Sequence, residues 1–346
     1  MLIIIEFVNI KGAILAGGYG KRLRPLTIYY PKALIKIKKD YTILEKQLND
    51  FRFAGINEIY LLVGYLHEKI MNKFGKDWKG IRLEYFIEEK PAGTHYAIKN
   101  ALEKSNSDLV IMNGDIISDF NIKSFIEYSS RRKELITIAV TQMPSPYGIV
   151  TIEENKIVNF IEKPKLPHYI NAGIYYIKKE ALDYFNREYN YNDVERTVFP
   201  IAAIDGQIAC YKEDVFWISI DSIKDVENVR EMYKNREDKP WGWENIVVSN
   251  NKYLVKELFI KSKFRTSIHY HNRKDETLNV IRGSGNVEIY DEKFNVIEKK
   301  TLQPRTTIRI MPKVIHSIIS EDNLLLEEYS TPHANDVVRV KDFYLR

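Results

Sequence analysis

The chain is poor in the features that would place it in several large protein classes. It has one cysteine in 346 residues, Cys210, so no intramolecular disulfide framework can form, and this usage fits a reducing cytoplasm. Cys210 lies in the apolar run Gln207 to Tyr211, where it is expected as core filler rather than a reactive thiol. No segment approaches the roughly 18 consecutive apolar residues that a membrane span needs. The apolar start, Met1 to Ile10, has no basic opening and is interrupted by Glu6 and Asn9, so it reads as a strand or short extension rather than a signal segment. An excess of one charge is also missing. Lys and Arg number 52 against 47 Asp and Glu, and the net charge of +5 is spread along the chain rather than gathered into a basic stripe. Nucleic acid and membrane are therefore not expected partners. No internal repeat or low-complexity tract occurs, and dispersed charge argues against long disordered tails. Glutamine is scarce beside Ile, Tyr, Lys and Glu, a composition that leans towards a heat-loving source.

What is present suits packed cores. Hydrophobic residues make up 45 % of the chain, and its length calls for two domains. In the first two-thirds, short apolar runs (Gly12 to Leu15, Ile59 to Val63, Asp108 to Met112) and an alternating segment (Ile81, Leu83, Tyr85, Ile87) are interleaved with helical spacing at Ile43, Leu44, Leu48 and Phe51, at His67 to Phe74 and at Ala97 to Leu102. Strands alternating with helices predict an α/β, Rossmann-like domain with a mainly parallel sheet. The charged run from Lys234 to Lys239, closed by Pro240, reads as the boundary, giving domains 1–235 and 236–346. Beyond it helical periodicity fades. Short strand candidates at Tyr253 to Ile260, Asn279 to Ile281, Asn286 to Tyr290, Thr307 to Ile310 and Leu324 to Glu327 predict a small all-β barrel or sandwich.

The first chemical signal is the stretch after the opening strand: Leu15, Ala16, Gly17, Gly18, Tyr19, Gly20, Lys21, Arg22. Glycines let backbone N–H groups close on a phosphate, and Arg22 and Arg24 add fixed positive charge. The stretch is neither a Walker loop nor the dinucleotide GxGxxG. Lys32 follows in the same loop segment, and Asp115 stands at the carboxyl end of the strand ending at Met112, where α/β sheets open their ligand crevices. A carboxylate there suits Mg²⁺, or else forms an Asx turn.

The run from Leu15 to Thr27, with Pro31 and Lys32, resembles the signature of the sugar-1-phosphate nucleotidylyltransferases. The resemblance continues in order through Lys90 to Thr94, Asn113 to Asp115, Tyr147 and Gly148, Glu162 to Pro164, and Asn171 to Gly173. It implies that Leu15, Ala16, Gly17, Gly18 and Gly93 line the nucleotide. Arg22 and Lys32 would meet phosphates, and Asp115 would hold Mg²⁺. Glu162 would bind sugar hydroxyls, Lys163 the sugar phosphate, and Asn171, Gly173, Tyr147 and Gly148 would shape the sugar pocket. The substrates implied are an NTP and a sugar 1-phosphate. Two positions depart from the family. Ser219 stands where the second metal aspartate is usual, and Asp221, two residues on and facing the same way on a strand, takes that role in this reading, with capping of the next helix as the plain alternative. The spacing from Trp217 to Asp221 is closer to the cytidylyltransferase branch. His95 replaces a small residue and either alters base selection or simply begins a helix.

The second signal is His269 and His271 on one strand face, followed by Glu276 and a distant His316. This order resembles the cupin metal motif and implies a jelly-roll domain holding a divalent transition metal: Zn, Mn, Fe or Ni. Lys239 to Gly242 and the segment Asn335 to Tyr344 resemble the ends of type II phosphomannose isomerases, a family often fused to mannose-1-phosphate guanylyltransferases. His269 stands where that family usually has Gln, and Arg24 precedes Pro25 where the fused enzymes usually have Trp. Lys256, Glu257, Lys274 and Arg339 are the polar candidates for isomerase chemistry. A bifunctional enzyme, dimeric through its cupins, is therefore expected. The alternatives are a cytidylyl- or thymidylyltransferase with a silent cupin, and a degenerate sugar-nucleotide sensor.

Overall fold

The computed structural model describes residues 10–88 and 92–344. The reading of residues 1–9, and the Lys90-Pro91 part of the family pattern, lie outside the described residues. The chain divides into two compact units, 1–227 and 228–346. Among the described residues no helix is long and apolar enough to cross a membrane.

The first unit is built on an eight-stranded sheet. Its centre is Ile10–Ala16, flanked in parallel by Glu58–Val63 and Asp108–Asn113, and Ile81–Ile87 continues the parallel set. Lys165–Ile177 runs antiparallel between Asp108–Asn113 and Ile136–Pro144. These central strands are buried on both sides, which is why their sequences read as continuous apolar runs. One face packs Leu44, Leu48 and Phe51 of the helix Ile43–Ala54, and the other packs Ile98, Ala101 and Leu102 of the helix Thr94–Ser105. The helix Ile43–Ala54 starts in a capping box, in which Thr42 and Glu45 satisfy each other's backbone N–H groups, and it stops at Gly55 in a left-handed turn.

The second unit has a six-stranded sheet, ordered Arg236–Lys239, Gly242–Ser249, Leu254–Ile260, Leu324–Ser330, Glu276–Arg282, Thr307–Ile310, and a five-stranded sheet, ordered Val296–Leu302, Gly285–Tyr290, Ile315–Ser320, Ile268–Tyr270, Val338–Lys341. Leu258, Leu278, Val280, Val287, Ile318 and Leu326 form its apolar core. This is the two-sheet, all-β architecture expected of a cupin.

One expectation needs correction. Cys210 is exposed. It sits on Ile208–Lys212, the edge strand of the large sheet, where alternation buries Ala209 and turns the next side chain outward. Arg236–Lys239 is a strand, and the buried Arg236 guanidinium lies over the Tyr233 and Trp243 rings and pairs with Asp238 at 3.0 Å. By compactness the chain divides between Glu227 and Asn228, within the helix Ile223–Tyr233.

Candidate functional sites

The first site lies at the carboxyl ends of the central parallel strands. A cavity of about 280 Å³ is lined by Leu15, Ala16, Gly17 and Gly18 from the first loop, by Gly93 and Thr94 at the start of a helix, and by Asn113, Gly114 and Asp115. Two glycines there are steric necessities. A Cβ on Gly93, whose φ is +90°, would meet the Asn192 carbonyl at 2.3 Å, and one on Gly114 would meet the Leu15 carbonyl at 2.5 Å.

Two acidic side chains converge in this region because of a small antiparallel pairing. Trp217–Ser219 pairs with Ile116–Ser118, placing Ser219 opposite Ile116, and the Ile220 N–H donates to the Asp115 carbonyl at 2.9 Å. Asp115 and Asp221 thereby flank the same end of the ladder. Both reach one ammonium: Lys32 Nζ lies 2.7 Å from Asp115 Oδ2 and 3.2 Å from Asp221 Oδ1. Lys32 comes from the short turn of helix that follows Pro31 and is itself part of the cavity wall. Arg22 reaches Asp221 at 3.5 Å with a largely exposed side chain. Ser219 Oγ donates to Asp221 Oδ2 at 2.8 Å, so the two side chains do share a face. Burial opposes the charge on Asp221, yet Ser219, Lys32 and Arg22 together hold its carboxyl below the ordinary aspartate value. Asp221 does not cap the following helix. Ser222 and Asp225 form that cap reciprocally, and Asp225 also accepts from the Asp221 N–H. Two carboxylates facing one ammonium, with Asp115 in the cavity wall, fit a hard divalent ion such as Mg²⁺.

The other sequence candidates lie apart from the cavity lining described so far. Tyr147, Gly148, Glu162 and Lys163 gather at the base of an exposed hairpin, Ile149–Glu153 with Lys156–Ile161, where Glu162 and Lys163 are 3.8 Å apart. Lys163 has φ +45°, a left-handed backbone that a lysine rarely adopts. Asn171 accepts from the Gly173 N–H at 2.8 Å, and Gly173 packs on Asn113, which does line the cavity. His95 plays no part in the cavity wall. Its ring is held by Thr197 Oγ1 at 3.0 Å and the Phe185 carbonyl at 3.1 Å, and it packs on Phe185 and Tyr189. Glu88 is a cavity residue that the sequence reading missed. One of its carboxylate oxygens is buried and has no hydrogen-bond partner among the described residues, and burial raises its pKa. Its signal was its place, at the carboxyl end of the strand Ile81–Ile87.

In the second unit, ligand-type nitrogens of His269, His271 and His316 lie within 4.8 Å of one another. His269 and His316 are register partners on neighbouring strands. Each Nδ1 is anchored on a backbone carbonyl: His269 on Ser267 at 2.8 Å, His316 on Val314 at 3.0 Å, and His271 on Asp336. Donation from Nδ1 leaves Nε2 as the free lone pair, and on His271 and His316 that atom is buried with no hydrogen-bond partner among the described residues. That tautomer pattern is what a metal-binding imidazole requires. Glu276 lies 3.1 Å from His316 Nε2 and 3.5 Å from His271 Nε2, but Lys274 also holds it, at 2.5 Å. Burial lowers the pKa of His269 and His271, which favours their neutral, ligating form. A cavity of about 300 Å³ opens above these groups. Lys239, Glu244, Lys256, Lys274, Glu328 and Arg339 share its wall. Glu257, a sequence candidate, is on the other face of its strand, bonded to Asn245 at 2.9 Å.

Comparison with known proteins agrees with both halves. The nucleotidyl transferase family matches residues 11–236, and the family described as mannose-6-phosphate isomerase C-terminal matches residues 209–327. The mannose-1-phosphate guanyltransferase of Saccharomyces cerevisiae is 32 % identical over 238 residues, covering 65 % of this chain and 65 % of that protein. The enzyme of that name from Aspergillus fumigatus is 34 % identical over 227 residues, 62 % of each. The chain thus spans somewhat under two-thirds of the length of these relatives. Among solved structures, HddC from Yersinia pseudotuberculosis superposes with a TM-score of 0.53 at 24 % identity, covering 65 % of this chain and 100 % of that one, a likeness of fold.

Proposed function

From its membership of the nucleotidyl transferase family, which matches residues 11–236, we propose that the chain is a mannose-1-phosphate guanylyltransferase, joining GTP and mannose 1-phosphate into GDP-mannose and pyrophosphate. The observation that carries this reading is the meeting of Asp115 and Asp221 at one cation beside the glycine loop. In the reaction a phosphate oxygen of the sugar phosphate bonds to the α-phosphorus of the nucleotide, and the bond to the β-phosphate oxygen breaks. Both reactants are anions, so the protein's task is to place them and to neutralise their repulsion. Mg²⁺, held by Asp115 and Asp221, would supply charge stabilisation at the phosphates. Arg22 and Lys32 add fixed cations there, and the backbone from Leu15 to Gly18 and at Gly93 lines the nucleotide. Glu162, Lys163, Tyr147, Gly148, Asn171 and Gly173 form the sugar side, with Lys163 neutralising the sugar phosphate.

Guanine is favoured by Glu88. The base offers two adjacent N–H donors, and a carboxylate with a buried oxygen that has no partner among the described residues is the natural acceptor for them. Mannose is favoured by the names of the relatives and by the second domain. There, His269, His271, His316 and Glu276 would hold a divalent transition metal that aligns sugar oxygens, making the domain an isomerase of mannose-6-phosphate type. The same reading makes the protein a homodimer joined through its cupins. A cytidylyltransferase with a silent cupin is the second reading, favoured by the four-residue spacing from Trp217 to Asp221.

The experiment is pyrophosphate release for each NTP with each sugar 1-phosphate, with metal analysis of the same sample. GTP with mannose 1-phosphate is expected to turn over fastest. CTP as the preferred nucleotide would establish the second reading. Nucleotide binding without turnover for any pair would mean a sensor.

A further inference from the structure

Lys32 borders the cavity that receives the triphosphate, yet its ammonium is held by Asp115 and Asp221. One amine cannot serve both stations at once. Two carboxylates forced together repel unless a cation lies between them. Arg22 is a poor candidate for that cation: it reaches Asp221 at 3.5 Å, and its side chain is 80 % exposed against 16 % for Lys32. Ser219 fixes the other oxygen of Asp221, and Asp225 fixes its backbone N–H, so the carboxylate keeps its place if the lysine leaves. Lysine suits such a move, being a compact charge on a flexible four-carbon stem.

We propose that Lys32 is a built-in stand-in for the divalent ion. It fills the seat between Asp115 and Asp221 in the free enzyme and is released to the nucleotide phosphates when the ion takes that seat. The inference rests on reading those two aspartates as the metal ligands. It makes metal and nucleotide binding mutually reinforcing, since the ion frees Lys32 for the phosphates and the phosphates draw Lys32 out of the ion's seat.

The test is Mn²⁺ binding to the full-length protein without nucleotide, followed by the electron paramagnetic resonance of the free ion. The sites counted are those that Asp115→Asn removes, which sets aside ions held by the histidines. Lys32→Met is expected to bind Mn²⁺ at that site about tenfold or more tightly than wild type. Lys32→Arg, which keeps the charge, is expected to show no such gain and controls for loss of the native fold. Equal affinity in wild type and Lys32→Met, with Asp115→Asn still abolishing the site, would overturn the stand-in role and leave the metal seat intact. Mn²⁺ binding indifferent to both Asp115→Asn and Asp221→Asn would overturn the seat itself.

Discussion

On the proposed function, the hydroxyl of Ser219 and the carboxylate of Asp221 illustrate how a displaced ligand can be re-housed. Ser219, at the position where the resemblance would put the aspartate, donates to the carboxylate two places on, so on that reading the old site orients the new one. Replacing Asp221 by Ala is expected to cost on the order of 100- to 1,000-fold in kcat with only a modest change in nucleotide affinity, because its charge acts mainly where negative charge builds up. Stopped-flow pyrophosphate release and equilibrium nucleotide binding separate the two effects. Glu88→Gln tests base selection. It is expected to lower kcat/KM for GTP at least tenfold and to narrow the gap to the other nucleotides, because a carboxamide cannot accept both guanine donors. The sequence showed Asp221 through strand alternation but not Lys32's partners or Glu88's orphan oxygen. Those depend on which distant chain segments meet, which local pattern does not encode. Cys210 was misplaced for a related reason: an apolar neighbourhood in sequence does not say whether a strand is central or at an edge.

Between side chain and domain, short elements set the geometry. The helix Ile223–Tyr233 begins in the reciprocal Ser222–Asp225 cap, and Asp225 also holds the Asp221 N–H. Asp225→Ala is expected to cost about 1 kcal/mol of stability, a normal loss for a cap, and to raise the Mg²⁺ concentration needed for half-maximal rate more than it lowers kcat. In the second unit Asp336 clamps the loop before Glu276. Its carboxylate accepts from the backbone N–H groups of Asn272, Arg273 and Lys274, which hold its pKa down to about 2, and its carbonyl takes the His271 Nδ1–H. Asp336→Ala should therefore reduce the metal content of purified protein, measured by elemental analysis, without touching guanylyl transfer. Glycine punctuation and strand alternation made the βαβ order and the histidine face legible. The acidic side chains on the inner cupin face, Glu244 and Glu328, were not, because their pairing depends on register across the sheet.

The proposed function gives the two compact units separate chemistries, and this separation can be measured. Folding keeps His269 and His271 neutral by burying them, whereas the unfolded chain would protonate them near pH 6.5. The unfolded state then binds more protons, so the metal-free second unit is expected to lose thermal stability as pH falls below about 6.5. Calorimetry of chelator-treated protein at pH 7.5 and 5.5 checks the sign. The most direct measurement for the account as a whole is pyrophosphate release from GTP and mannose 1-phosphate by wild type, Asp115→Asn, Asp221→Asn and His271→Ala/His316→Ala, over a range of Mg²⁺. The account predicts that either aspartate change removes nearly all Mg²⁺-dependent release while the double histidine change leaves it close to wild type. Full release by both aspartate variants would contradict it.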